Sequence, residues 1–526
     1  MRILYKIANK LFRIVKKILK LLTSRMVIIG VALLLEFCWL AGIVMQLNEK
    51  SVYINYAVTI LSLIAVLSII NNPKMNPGYK LMWAVCILAL PVTGICLYGI
   101  LGHSSVARKF RTHYDTVLLS QGGVLGEEEE TRKKLEEENI LAAGQSSYLT
   151  NYAHYPVYEN TETEYYPLGD VWFEHFIEEL KKAEHYIFME YFIISEGYLW
   201  DTVLEILKEK AAAGVDVRLI YDDFGCVTTL PYQYYKSLQQ MGIKCAAFNQ
   251  FRPVLNVILN NRDHRKIAVI DGHTAFTGGI NLADEYINRK ERFGHWKDSG
   301  ICLHGEAVWS FTVMFLQMWS TITGMECNFE SYWPEIYHEE AFKKDGFVQP
   351  YGDSPLDGET VGEHVYLNII SQAKKYLYIF TPYLIPDNET LTALCMAAKR
   401  GVDVRIVTPG IPDKKIVYIL TQANYEILLE SGVQIYQYTP GFIHSKSFVC
   451  DDEIATVGTI NLDYRSMYLH FECGVWMYGS SAVAQVKEDA LTTFEQCEQI
   501  NMDYCRKKNF AVRALRGALK FLAPLL

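Results

Sequence analysis

The chain has 526 residues, half of them hydrophobic, with 50 Lys and Arg against 59 Asp and Glu for a net charge of −9. That length exceeds one ordinary domain, and that composition fills a large core with apolar segments to spare. The first 25 and last 21 residues carry +8 and +6, which leaves about −23 on the stretch between them, the reverse of the basic groove a nucleic-acid binder needs.

Residues 1–25 place Arg2, Lys6, Lys10, Arg13, Lys16, Lys17, Lys20 and Arg25 mostly three or four apart among Ile, Leu, Val and Phe, with no acid. The pattern predicts an amphipathic basic helix suited to an anionic membrane surface. Residues 26–47 are apolar, long enough to span a bilayer and without a small-residue cleavage site, so they read as an anchor rather than a removed signal peptide. Residues 52–70 and 81–101 are further candidate spans, so residues 26–102 are expected to hold two to three transmembrane helices. Glu36 in the first and Pro91 in the third are costly in lipid and are expected to face helix partners. Eight positive charges before the first span argue for a cytoplasmic N-terminus, whereas Arg108, Lys109 and Arg111 after the third argue the other way, so charge leaves the side of the catalytic part open. The 12 Cys show no CxxC pair and read as buried free thiols. Residues 103–150, with glutamates at 127–130 and 136–138 around Arg132-Lys133-Lys134, read as a charged connector, partly helical with a solvated face.

From residue 152 the periodicity is that of an α/β protein: a helix over 171–183, a strand over 186–192, a helix closed by Gly214 and a strand over 215–221. Then comes His264-Arg265-Lys266-Ile267-Ala268-Val269-Ile270-Asp271, closed by Gly278-Gly279-Ile280-Asn281. The whole order recurs. A strand over 376–383 matches the first, Gly401-Val402-Asp403-Val404-Arg405 repeats Gly214-Val215-Asp216-Val217-Arg218, and a second motif begins at His444. Lys446, Asp451, Gly458 and Asn461 follow that His at +2, +7, +14 and +17, as Lys266, Asp271, Gly278 and Asn281 follow His264. Each copy reads as a strand, a tight turn and a second strand. The repeat is therefore a domain: residues 151–345 and 346–505, joined in the polar stretch 343–363, form two tandem α/β domains, each a mixed sheet flanked by helices, related by a pseudo-twofold and preceded by transmembrane helices. Residues 506–526 add Arg506, Lys507, Lys508, Arg513, Arg516 and Lys520 among apolar residues and read as a second amphipathic tail.

Side chains alternate across a strand, so His264 and Lys266 share one face while Asp271, seven residues from the His, points away; His444, Lys446 and Asp451 repeat the pattern. Two His, two Lys and two Asn (Asn281 and Asn461) converging on one point suit an oxyanion such as a phosphodiester, since ammonium and amide donors stabilise the charge of a pentacovalent transition state. One imidazole attacks phosphorus to give a phosphohistidine, and the other protonates the leaving alkoxide and then deprotonates the incoming alcohol or water. A Lys two residues from each His disfavours a metal, so neither metal nor cofactor is expected.

These residues resemble the paired HxKxxxxD signature of the phospholipase D superfamily, and the chain is similar to the bacterial cardiolipin synthases. The likeness extends over the membrane segment from Asn76-Pro77-Gly78 to Gly102, the His295-Trp296-Lys297-Asp298 run, and Gly458-Thr459-Ile460-Asn461-Leu462-Asp463-Tyr464-Arg465-Ser466. It implies one active site built from both motifs, with Asp271 and Asp451 counted among the site residues as members of the signature. It also implies Asp298 as the partner of His264, Glu472 as the partner of His444, His264 as nucleophile, and His444 as general acid and base. The reaction implied converts two phosphatidylglycerols into cardiolipin and glycerol at the cell membrane, in a multi-pass protein working on anionic membrane lipid and no nucleic acid. A hydrolytic phospholipase D is the alternative, a nuclease ranks behind it on charge, and the oligomeric state is not readable. A catalytically dead scaffold is disfavoured, because neither copy has lost its His, Lys or Asn.

Overall fold

The computed structural model describes residues 25–44, 50–73, 75–102, 107–120, 123–126, 129–250, 261–338, 341–506 and 510–525. The basic N-terminal helix expected over residues 1–25 lies, but for Arg25, outside the described residues. The chain divides into a helical unit within Met1–Lys109 and a larger unit of Phe110–Phe251 and Asn260–Leu526.

In the helical unit, Arg25–Val44 and Lys50–Ile70 are continuous helices. Among the described residues, one helix is long and apolar enough to cross a membrane, over Val52–Ile70 with mean hydropathy 2.1. The span expected over 81–101 is not one helix. It runs as Pro77–Ala89, breaks at Leu90, restarts as Pro91–Leu97 and ends in a π-helical turn, Tyr98–Gly102. Pro91 has no N–H to continue the first piece but fits the first position of the second. At Gly94 a Cβ would stand 2.6 Å from the Cys86 carbonyl oxygen and 2.6 Å from the Ile87 Cα, so the second piece folds back against the first through a residue with no side chain. The restarted helix has no side-chain cap of its own. Glu36 supplies one: it is buried and accepts the Thr93 N–H at 2.7 Å, which is the helix partner its place in an apolar run required.

The larger unit holds two sheets. The first uses β1 (Thr161–Tyr166), β2 (Tyr186–Tyr191), β3 (Asp216–Asp222), β4 (Lys244–Phe248), β6 (Lys266–Ile270), β7 (Thr274–Gly278) and β9 (Gly300–Gly305), and two short strands, β5 (Arg262–Asp263) and β8 (His295–Lys297), lie outside it. The second uses β10 (Phe347–Asp353), β11 (Tyr376–Phe380), β12 (Asp403–Pro409), β13 (Gln434–Tyr438), β15 (Ser447–Cys450), β16 (Ile454–Gly458), β17 (His470–Tyr478) and β18 (Cys497–Ile500), while β14 (Gly441–Ile443) stands apart. The strand orders, β1-β9-β7-β6-β2-β3-β4 and β10-β17-β16-β15-β11-β12-β13, correspond one for one, with β18 added at the second edge. In each sheet the middle strand pairs in parallel with the next βα strand and antiparallel with the motif hairpin. The cores correspond too: Ile187, Met189, Val217 and Leu219 lie in one, Leu377, Ile379, Val404 and Ile406 in the other.

Two segments beyond the repeat pack on this frame. Helices Glu129–Glu138 and Ile140–Tyr152, within the glutamate-rich connector, bury Leu135, Ala142 and Leu149 in the second core while exposing their acids. The tail forms a helix, Phe510–Leu522, whose Arg516 donates to Gln422 Oε1 at 2.8 Å and whose Leu519, with Ala523 beyond it, packs beside Ile385 and Leu420.

The two halves are also stitched by their shortest strands. β5 pairs in parallel with the start of β17 (Arg262 with His470, Asp263 with Phe471), and β14 pairs in parallel with β8 (Gly441 with His295, Ile443 with Lys297).

Candidate active site

Each motif histidine continues one of those stitching strands by one residue. The His264 N–H donates to the Phe471 carbonyl at 2.9 Å and the His444 N–H to the Lys297 carbonyl at 2.7 Å. The next residue on each partner strand is an acid, so the pairing that seats a histidine also delivers the other half's carboxylate to its ring. His264 Nδ1 lies 3.0 and 2.9 Å from Glu472 Oε1 and Oε2, and His444 Nδ1 lies 2.6 Å from Asp298 Oδ2. The acids expected beside the histidines are thus present with their partners exchanged: Glu472 serves His264 and Asp298 serves His444. The expectation matched each acid to the wrong imidazole because it did not include strand pairing between the halves.

The four acids are buried, as are both histidines. Burial first, then Lys266, Lys446 and His444, hold His264 well below its ordinary pKa. Burial and Lys446 bring His444 down to about 4 against the opposing pull of Asp298. Both rings are neutral at pH 7, and a carboxylate on Nδ1 leaves the Nε2 lone pair free to attack or take a proton. Burial also lowers Lys266 to about 8 and Lys446 to about 7. Each Lys Nζ donates to the carbonyl of its own histidine, at 2.5 Å for Lys266, which holds the ammonium groups beside the rings. Asn281 accepts the Ile193 N–H and donates to the Tyr286 hydroxyl, and Asn461 donates to Ser466.

Asp271 and Asp451 sit where strand parity puts them, off the histidine face. Asp271 accepts the N–H groups of Glu184, His185 and Tyr186 at 2.7 to 2.8 Å, and Asp451 those of Lys374, Lys375 and Tyr376 at 2.6 to 2.9 Å. Each clamps the hairpin turn to the beginning of the central strand. The turns have two left-handed residues, Asp271 and Gly272 in one and Asp451 and Asp452 in the other, the backbone of a tight hairpin.

Three site residues escaped sequence reasoning. Thr459 donates through Oγ1 to Glu472 Oε2 at 2.5 Å. Its counterpart in the first motif, Gly279, leaves room for the other acid, since a Cβ there would stand 2.0 Å from Asp298 Oδ1. Both are at +15 of their motifs, and the contrast between a hydroxyl and no side chain at one register position was a signal in the repeat. The third, His470, is buried against His264 with ring centroids 5.5 Å apart, and nothing in its sequence context marks it.

Among the described residues, two groups bring three ligand atoms within 4.8 Å: His264, His470 and Glu472, and Glu363, Asp387 and Glu389. The ammonium groups of Lys266 and Lys446 oppose a cation at the first. In the second, Glu363 is pushed up to about 8 by burial and by Asp387, and both carboxylates accept from the Tyr468 hydroxyl.

Residues 176–319 and 366–493 match the family described as cardiolipin synthase, PLD-like domain, and residues 60–103 match that described as phospholipase D-nuclease N-terminal. A cardiolipin synthase of Alkalihalophilus pseudofirmus is 34% identical over 89% of this chain and 92% of its own length. The chain belongs to the cardiolipin synthase family. A family relationship of that extent makes it a phosphatidyltransferase of the phospholipase D superfamily. A cardiolipin synthase of Halalkalibacterium halodurans shares 34% identity over 86% of this chain and 90% of its own, and an uncharacterized protein of Streptococcus mutans shares 43% over 88% and 99%. Among solved structures, the phosphatidylserine synthase of Haemophilus influenzae superposes with a TM-score of 0.55 at 16% identity, covering 75% of this chain and all of that one, which is a likeness of fold.

Proposed function

We propose that this member of the family makes cardiolipin by transferring a phosphatidyl group from one phosphatidylglycerol to the hydroxyl of another. His264 Nε2 attacks phosphorus, the bond from phosphorus to the glycerol oxygen breaks, and the departing alkoxide takes a proton from His444. That proton is acquired as the anionic phosphodiester binds, because its charge and Asp298 both favour the imidazolium. A second phosphatidylglycerol then gives its hydroxyl proton to His444 and its oxygen attacks phosphorus, breaking the N–P bond and releasing His264. Lys266 and Lys446 carry the charge on phosphorus throughout. Asn281 and Asn461 complete the lining, and Asp271 and Asp451 keep the two hairpins in place. The observation that carries this reading is a buried pair of imidazoles, each with a carboxylate on Nδ1 and a lysine Nζ bonded to its own backbone carbonyl. We assign residues 151–345 and 346–505 to the two catalytic halves, and the protein to the cell membrane as a multi-pass enzyme with Val52–Ile70 among its spans.

Purified protein given labelled phosphatidylglycerol in EDTA should release glycerol and cardiolipin in equal amounts. Acid-quenched intermediates should be unstable, whereas base-quenched protein should retain a phosphatidyl adduct on His264 that is absent from His264→Asn. Phosphatidic acid as the main product would make the protein a hydrolase, and an adduct mapped to His444 would exchange the two roles.

A further inference from the structure

In each half the residue two before the carboxylate that serves a histidine lies beside that same histidine. His470 precedes Glu472 and sits with its ring 5.5 Å from that of His264 at 44°; Trp296 precedes Asp298 and sits 5.6 Å from His444 at 47°. The pseudo-twofold thus puts a ring in the same place twice but gives only one of them two imidazole nitrogens. His470 is 8% exposed, and among the described residues neither ring nitrogen has a partner at hydrogen-bond distance. Its Nδ1 is 3.6 Å from Glu472 Oε1, just beyond bonding distance.

The two acids differ in how their oxygens are held. Asp298 accepts the Ser299 N–H on Oδ1 at 2.9 Å and faces His444 through Oδ2, so both oxygens are fixed by adjoining chain and ring. Glu472 has an extra methylene to immobilise; Thr459 holds its Oε2, and among the described residues its Oε1 is within hydrogen-bond distance of His264 Nδ1 alone. We propose that His470 is a positioning residue for His264, donating through Nδ1 to Glu472 Oε1 as the reaction proceeds. When His264 takes up phosphorus its ring becomes cationic and draws the carboxylate toward it. A donor on Oε1 then keeps the carboxylate aligned with Nδ1–H instead of letting it turn about the Thr459 bond. The proposal rests on the phosphohistidine reading above.

Three substitutions test it in the full-length protein, read by the rate of adduct formation, by KM for phosphatidylglycerol and by melting temperature. His470→Phe keeps a ring and removes the donor; it should slow adduct formation by about ten- to a hundredfold, the span for groups that orient an imidazole from behind, with KM changed less than about twofold. His470→Asn, whose amide nitrogen falls near the Nδ1 position, should return the rate to within about threefold of wild type, while His470→Gln, which reaches the Nε2 position, should not. Wild-type rates in the Phe variant would overturn the proposal, as would equal losses in all three with lowered melting temperatures, which is the signature of packing alone. Wild-type protein that turns over with no adduct would remove the phosphohistidine reading itself, and this proposal with it.

Discussion

Four carboxylates near the motifs do two different jobs, and what their oxygens touch separates them. An acid whose oxygens face an imidazole N–H sets the tautomer, so Glu472→Gln and Asp298→Asn should leave melting temperature little changed and lower turnover by about 10⁴-fold. An acid that accepts three backbone N–H groups holds chain, so Asp271→Asn and Asp451→Asn should each cost about 1–3 kcal/mol in denaturant unfolding while the folded fraction keeps most of its turnover. Inactive but fully stable Asp271 and Asp451 variants would reverse that division. The titratable groups give a second expectation at this scale. His264 is held low by burial and the neighbouring lysines, so protonation takes its nucleophilic Nε2 lone pair only in acid; the lysines are held low as well, by burial, at about 8 and 7, so their positive charge is lost as pH rises. The pH profile of kcat/KM should therefore climb out of the acid range below pH 6 and decline through pH 7 to 8. An alkaline limb that stays flat to pH 10 would contradict a role for the charged lysines in the free protein.

At the level of elements, the tail helix Phe510–Leu522 exposes Lys520 and sets Arg516, Leu519 and the adjoining Ala523 against protein. Its contact surface includes Tyr464, three residues beyond Asn461, so it buttresses the segment that carries a site residue. Deleting residues 507–526 should lower the melting temperature and reduce activity on dispersed short-chain phosphatidylglycerol as well as on anionic vesicles. Loss confined to vesicles, and relieved at high salt, would mean that the helix acts on the membrane alone. The same scale explains what sequence could and could not convey. The hairpins are legible because β6, β7, β15 and β16 are short runs rich in apolar and β-branched residues around Asp-Gly or Asp-Asp turns. β5, β8 and β14 are two or three residues long, too short to show any period, and they decide which acid meets which histidine. Pro91 was legible as a cost within an apolar run, but the fold-back it initiates depends on the close approach at Gly94, which only coordinates reveal.

Across the whole molecule, the repeat reveals two sheets of one strand order, and a repeat cannot by itself say how its copies interlock. The family resemblance implies that each half carries its own histidine and its own acid. The structure has each half lend its acid to the other, through backbone pairing at β5 with β17 and β14 with β8. This exchange bears on how such a molecule could arise. A lone half would expose two stubs of unpaired backbone and a histidine with no carboxylate, so a single-copy forerunner could have worked only as a symmetric dimer, with the same acid in both places. In one polypeptide the two ends of the exchange need not match: Thr459 and His470 stand around Glu472, whereas Gly279 and Trp296 occupy the corresponding places beside Asp298 and His444. Tandem linkage is what allows two copies of one motif to give their histidines unlike surroundings.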